Sequence, residues 1–350
     1  MTNSFGLDTP LLTEATAAAG VLRSDESFSF DDPFVGEICR TRPFRRLKRV
    51  GFLGAIDYVK RGTGRSPHLR RHNRYEHSLS VAKLAEIYSE HRALRQSERR
   101  LLMAAALLHD VGHGPLSHTL EPIFEAEFGI NHHQMGRHII RGETSLGDGI
   151  GRALRAYSID PEEVIALIDG RHDGPLNFLF GSQINLDTVE AINRCRAFFA
   201  RRAAFVSARS LTARLSRSNE LPTACLDEFW ELKHFIYNLC ITSNIGLVLD
   251  SVAHVYMRDN ISRFTVDDFT ATDEDIHRNH SYMFKIFRMV TSRTADLGKE
   301  LSNNWLDAEL CVKKRNFFVD QSQSLSGVDM LDKRYRQSKT TLSVRLGDIL

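Results

Sequence analysis

Eight apolar residues in a row, Leu101 to Leu108, run directly into the pair His109-Asp110, and this junction restricts the fold more than any other stretch of the chain. The run predicts a buried helix, with Ser97 as its N-cap. An imidazole and a carboxylate at the end of a buried helix are costly to desolvate unless a cation or hydrogen-bond partners take them up. Two other segments offer the missing partners. Upstream lies Arg74-Tyr75-Glu76-His77-Ser78, and downstream lies Asn185-Leu186-Asp187-Thr188-Val189-Glu190. Ten of the fifteen histidines fall between His68 and His138, a concentration that scattered surface residues would not produce.

A chain of 350 residues, 42% apolar and 26% charged, can bury a large core as one big domain or one and a half. No apolar run approaches the roughly 20 residues needed to cross a bilayer, so no membrane partner is expected. The N-terminus lacks a basic region followed by an apolar core, so no secretory leader is expected either. Five dispersed cysteines without a C-x-x-C spacing speak for reduced thiols and a cytoplasmic setting. The net charge of +2 hides a local excess: Arg40 to Arg74 holds twelve Lys or Arg residues and one acid, Asp57. Such a stretch suits a polyanionic partner, a nucleotide or a nucleic acid.

Helical signals dominate the pattern. Phe44, Leu47 and Val50 predict a helix after Pro43, and Gly62–Arg71 reads as a loop. His77, Val81, Leu84 and Tyr88 form a helical stripe, and Pro161-Glu162-Glu163 opens another helix with acids in its first turn. Residues 187–206, 226–258 and 276–300 continue in helical style. Short strands are expected at Phe264–Phe269 and Thr341–Val344, and 211–222 reads as an exposed loop. The expected class is all-α with minor strands.

The order His77, His109-Asp110, Asp187 resembles the HD-domain metal-dependent phosphohydrolase superfamily. Four segments carry a closer resemblance to its deoxynucleoside-triphosphate triphosphohydrolase branch, which holds dGTPase-like enzymes and the vertebrate sterile-alpha-motif-and-HD protein. They are Pro43–Val50 with Leu53-Gly54, Asn73–Ser78, His109–His118 and Asn131–Gly136. The resemblance implies a mostly helical HD core over 33–210, preceded by an arm at 1–32. A helical extension at 211–310 completes that core, and 311–350 serves assembly or regulation. It also implies a homo-oligomer with a nucleotide substrate and a nucleotide effector, while the charge of the basic 40–74 stretch suits nucleic acid as a partner.

Two imidazoles and two carboxylates form a mixed shell for one divalent ion, Mn, Mg, Fe or Zn. His77, His109, Asp110 and Asp187 are the expected ligands. Arg74, one turn before His77, is placed to clamp phosphate, and His113 and His118 to contact it. By resemblance His133 is the general acid, with His132 as the alternative, and Glu121 orients one of the histidines. Phe52 and Leu53 stand where the branch begins with a sugar-sensing glutamine. Thr188, Ala191 and Cys195 stand where it carries a phosphate-binding lysine and a sugar-binding tyrosine and aspartate. Either the pocket takes a different nucleotide, or the register slips by a turn and Asn193 or Arg194 reads the sugar. The expected activity is release of nucleoside plus triphosphate. The alternatives are a nucleotidase or a phosphodiesterase/nuclease on oligonucleotides, and a nucleotide-sensing or nucleic-acid-binding module with little turnover.

Overall fold

The computed structural model describes residues 29–58, 72–198, 207–216, 223–292, 301 and 303–349. The chain is mostly helical. In order, the helices that frame the site are α1 (Pro33–Arg40), α2 (Arg42–Arg46), α3 (Arg74–His91), α4 (Gln96–Leu108), α5 (Glu121–Phe128), α6 (His132–Arg141), α7 (Gly149–Ala156) and α8 (Pro161–Ile168). They are followed by α9 (Phe178–Gly181), α10 (Leu186–Phe198), α11 (Ala208–Leu215), α12 (Thr223–Ile236), α13 (Asn244–Asp259), α14 (Asp273–Asn279) and α15 (Ser281–Ser292). Two antiparallel strands, β1 (Glu309–Val319) and β2 (Tyr335–Arg345), pair in a register from Glu309 opposite Arg345 to Val319 opposite Tyr335.

Local chemistry sets the helix starts that matter for the site. Asn73 caps α3 by accepting the Glu76 N–H at 2.8 Å. Asn131 and Gln134 form a reciprocal capping box on α6, an arrangement worth about 1 kcal/mol. The α4 helix starts earlier than Ser97 predicts, because the Glu98 carboxylate reaches back to the Arg95 N–H at 3.1 Å. Ser97 therefore lies inside the first turn.

The apolar faces meet in one cluster running from Phe34 to Leu346, with Phe44, Phe124, Trp230, Phe284 and Tyr335 wholly buried. Within it α3 packs against α4, α10 and α11, and α12 packs against β1. Three expectations are corrected. Phe264–Phe269 is not a strand: Val266–Thr270 is a 3-10 turn, fixed because Asp268 accepts the Thr265 N–H at 2.8 Å. The first part of the expected loop is helix α11, capped by Ser207, while 217–222 lie outside the described residues. The expected strand at 341–344 is one end of the much longer β2. Residues 1–28 of the expected arm, the loop at Gly62–Arg71 and the ends of the 187–206 and 276–300 helices also lie outside the described residues, wholly or in part. Among the described residues no helix is long and apolar enough to cross a membrane.

Candidate metal centre and histidine cluster

Three helices bring His77, His109 and Asp187 together. His77 is in the first turn of α3 and wholly buried, His109 caps the end of α4, and Asp187 is in the first turn of α10. His77 Nε2 lies 3.1 Å from His109 Nε2 and 3.0 Å from Asp187 Oδ1. Asp110 is close on the other side, with Oδ2 3.4 Å from His77 Nε2 and Oδ1 3.5 Å from His109 Nε2.

The ring partners decide which nitrogens face inward. His109 Nδ1 donates to the Ala106 carbonyl at 2.9 Å, and His77 Nδ1 is bonded to the Glu190 carboxylate. Each Nδ1 therefore holds the proton, and two bare Nε2 lone pairs point at one another. Two lone pairs 3.1 Å apart with two carboxylates repel unless a cation lies among them. That spacing is about what neighbouring donors adopt on one divalent ion with bonds of roughly 2.1 Å. The donor set fits a divalent ion. Asp187, with 42% of its side chain exposed, marks the open side.

The electrostatics point the same way. Burial would lower the His77 pKa, but the charge of Glu190, bonds to Asp187 and Glu190, and the charge of Asp110 lift it to about 9. Burial would raise Asp110, yet Arg74, His109 and His113 hold it well below the usual carboxylate range. A field that draws a proton so strongly also draws a metal ion.

A second group lies beside the first. His113 Nε2 is 3.2 Å from Asp110 Oδ1, so Asp110 belongs to both. The His113 ring stacks on His132 at 4.2 Å and 8°, and His118 meets both rings edge-on. Glu121 accepts from His118 Nδ1 at 2.8 Å and from both the backbone N–H and Nδ1 of His132. Gly112 makes this approach feasible, since a Cβ there would lie 2.0 Å from the His132 carbonyl. Burial and the charges of Arg74 and His132 push His113 well below its ordinary pKa, so it is neutral.

The sequence-predicted residues divide. His77, His109, Asp110 and Asp187 converge, and His113 and His118 stand next to them. Phe52 is buried with its ring 4.8 Å from that of His77. Arg74 is buried and spends three nitrogens inside the protein: on Asp110 Oδ2 at 2.7 Å, Ser117 Oγ at 2.9 Å and the Phe52 carbonyl at 3.0 Å. In this arrangement it holds Asp110 rather than standing open as a bidentate phosphate clamp. His133 lies against His132, their ring centres 4.0 Å apart, and shares a small recess with His109, Arg137 and Asp169, while it is the His132 ring that stacks on His113. Leu53 donates its N–H to Asp57 and Thr188 donates its own to Asn185, and Ala191 packs against the core. Arg194 bonds Glu190, Ser80 and His72. Asn193 is buried and bonds the Val189 carbonyl.

Two residues beside the site, Glu190 and Lys233, carry no role in the sequence-based expectations, and Arg194 enters them only as a candidate sugar reader. Glu190 and Arg194, three and seven residues after Asp187, share its helix, and that spacing could have announced them. Lys233, on α12, had no such signal. It is 7% exposed and has no hydrogen-bond or ion-pair partner among the described residues. Its ammonium lies 4.3 Å from the Trp230 ring centre, and burial lowers its pKa to about 8 against the pull of Asp187.

The HD domain family matches residues 74–193, which span His77, His109-Asp110 and Asp187. That stretch is an HD domain. The bovine deoxynucleoside triphosphate triphosphohydrolase SAMHD1 is 34% identical over 158 residues, 41% of this chain and 25% of that protein. The human SAMHD1 is 34% identical over 159 residues, 41% of this chain and 24% of its own. An uncharacterized Bacillus subtilis protein, YwfO, is 32% identical over 168 residues, 47% of this chain and 36% of that protein. The chain thus spans about a quarter to a third of the length of these relatives.

Proposed function

We propose that this HD-domain protein is a metal-dependent phosphohydrolase that converts a (deoxy)nucleoside triphosphate to nucleoside plus triphosphate. One observation carries the reading: a cation-demanding nest, His77, His109, Asp110 and Asp187, shares Asp110 with a nest of imidazoles. The first needs a metal ion, and the second offers N–H donors to phosphate oxygens. The activity for which the bovine and human relatives are named supports the substrate class.

A divalent ion held by the four ligands supplies Lewis-acid charge to a phosphoryl oxygen and acidifies water. The chain supplies the rest. Arg74 fixes Asp110, and Glu190 fixes the His77 ring. His113 and His118 hydrogen-bond phosphate oxygens, and His118 is the reachable one, with 64% of its side chain exposed. The bond from the α-phosphorus to the nucleoside 5′-oxygen breaks as water's oxygen joins phosphorus. His132 gives the leaving oxygen its proton, its ring aimed by Glu121. Lys233, a buried cation without a counter-ion, neutralises the far phosphates. Phe52, Thr188, Ala191 and Cys195 leave the sugar pocket poor in polar side chains that could read a hydroxyl, so discrimination between sugars is weak.

The test is product analysis with each dNTP and rNTP in the presence of Mn²⁺ or Mg²⁺. Triphosphate release supports the proposal. Release of monophosphate or phosphate, or shortening of oligonucleotides, assigns the site to a nucleotidase or nuclease instead. Tight binding without product leaves a sensing module.

A further inference from the structure

The segment that carries His113 and His118 is held in an unfavourable shape. Leu116 and Ser117, neither of them glycine, both adopt left-handed backbone, with φ of 54° and 46°. Each such residue is strained and persists only where surrounding contacts over-determine it. Ser117 Oγ donates to the Gly51 carbonyl at 2.6 Å and accepts from Arg74. Gly54, at φ 62°, permits the close approach, since a Cβ there would fall 2.3 Å from the Leu116 carbonyl. Arg46 donates to the carbonyls of Val111 and His113 at 3.0 and 2.7 Å.

One carboxylate closes this arrangement from outside the family-matched segment. Asp273, the first residue of α14, accepts the Leu116 N–H on Oδ1 at 2.8 Å and the Gly51 N–H on Oδ2 at 2.9 Å. Its charge also supports the buried Arg46 guanidinium, which burial lowers to a pKa of about 10. The Leu116 amide is where the chain enters the left-handed pair, two residues before His118. Gly51 adjoins Phe52, the ring over His77.

We propose that Asp273 is a positioning residue for the phosphate-side histidines: it clasps the Gly51 and Leu116 amides and so sets the left-handed turn that aims His113 and His118. The catalytic consequence rests on the function proposed above, but the clasp itself does not. Asp273 bonds the Gly51 and Leu116 amides and supports Arg46, none of which is among the expected metal ligands. Losing it therefore loosens the turn and leaves the cation nest intact.

Two variants separate this role from plain folding. Asp273→Asn keeps one acceptor oxygen and sets an amide NH₂ against the other N–H. Asp275→Asn weakens the cap of the same helix, where Asp275 accepts the Thr272 N–H, without touching the turn. Hydrogen exchange by mass spectrometry on the full chain should show peptides over 111–119 exchanging about tenfold faster or more in D273N, with α4 protection kept. D275N should match the wild type over 111–119. Mn²⁺ affinity by calorimetry should stay within about threefold in both, and kcat should fall in D273N alone. Unchanged exchange over 111–119 in D273N, or equal loosening in D275N, overturns the clasp. Should the wild type hydrolyse no nucleotide, the function fails while the exchange result still decides the clasp.

Discussion

Two groups of histidines lie side by side in this protein, and their surroundings drive them in opposite directions. Around His77 and His109 the neighbours are acids: Glu190, Asp110 and Asp187. Around His113, Arg74 and His132 add to burial in disfavouring charge. The same side chain is pushed toward holding a cation in one group and toward a neutral, anion-meeting state in the other. Asp110 joins the two, with Oδ2 toward Arg74 and His77 and Oδ1 toward His113 and His109. What separates the two groups of histidines here is the second partner of each ring, not its place in a motif.

That contrast can be broken one group at a time. Asp187→Ala removes an acidic oxygen from the first group, and should abolish stoichiometric metal by elemental analysis and cut turnover at least ~10³-fold. His132→Ala should retain metal but lose about 10²–10⁴-fold in turnover, the usual span for a proton donor. His133→Ala, two rings away from Asp110, should stay within about threefold. If His133→Ala proves as damaging as His132→Ala while both bind metal normally, the assignment of the acid to the stacked ring is wrong.

A subtler break acts behind the first group. Glu190 is buried, accepts from His77, and is bonded by Arg194, which itself meets His72. Burial would raise its pKa, but Arg194 and His77 bring it down to about 2, so it is fully charged. Glu190→Gln keeps the shape but weakens the pull on the His77 proton. Metal affinity should fall by about 10–100-fold, the span seen for such outer partners. Calorimetric titration with Mn²⁺ reads this directly, and an unchanged affinity would sink the idea that Glu190 sets the His77 ring.

The helical class and the convergence of His77, His109-Asp110 and Asp187 were legible because apolar periodicity and spacing along a helix are local properties. The choice between His132 and His133 was not. Consecutive helical residues point about 100° apart, and only the packing of α6 against Gly112 selects which ring enters the cluster. The inward contacts of Arg74 were illegible for a related reason: its spacing from His77 is local, but nothing local announces that Ser117 and Phe52 take up its remaining nitrogens. Lys233 and β1 share that fate. The run Lys313-Lys314-Arg315 shows no alternation, and β1 is held through Trp230, whose Nε1–H donates to the Phe318 and Arg336 carbonyls.

The smallest expected effect concerns the residue just after His118. Thr119 donates its hydroxyl to Asp250 at 2.7 Å and its carbonyl accepts from His254 Nε2 at 2.7 Å, both residues lying on α13. Burial raises Asp250 to a pKa of about 6, only partly offset by the Thr119 bond, and burial lowers His254 to about 4. For Asp250 the folded pKa exceeds the unfolded one, so its stabilisation is complete below about pH 4 and is lost as pH rises through 6. His254 has the opposite sign, losing stability as pH falls from about 6.5 through 4. Asp250→Asn retains an acceptor for Thr119 and removes the first loss. With allowance for its partial exposure, the variant should gain about 1–2 kcal/mol at pH 8 relative to its standing at pH 5. Thermal unfolding at the two pH values, read as a difference between variant and wild type, isolates this from the metal centre. An equal offset at both would mean that Asp250 stays charged in the folded chain, leaving the turn beyond His118 anchored by an ion rather than by a neutral hydrogen bond.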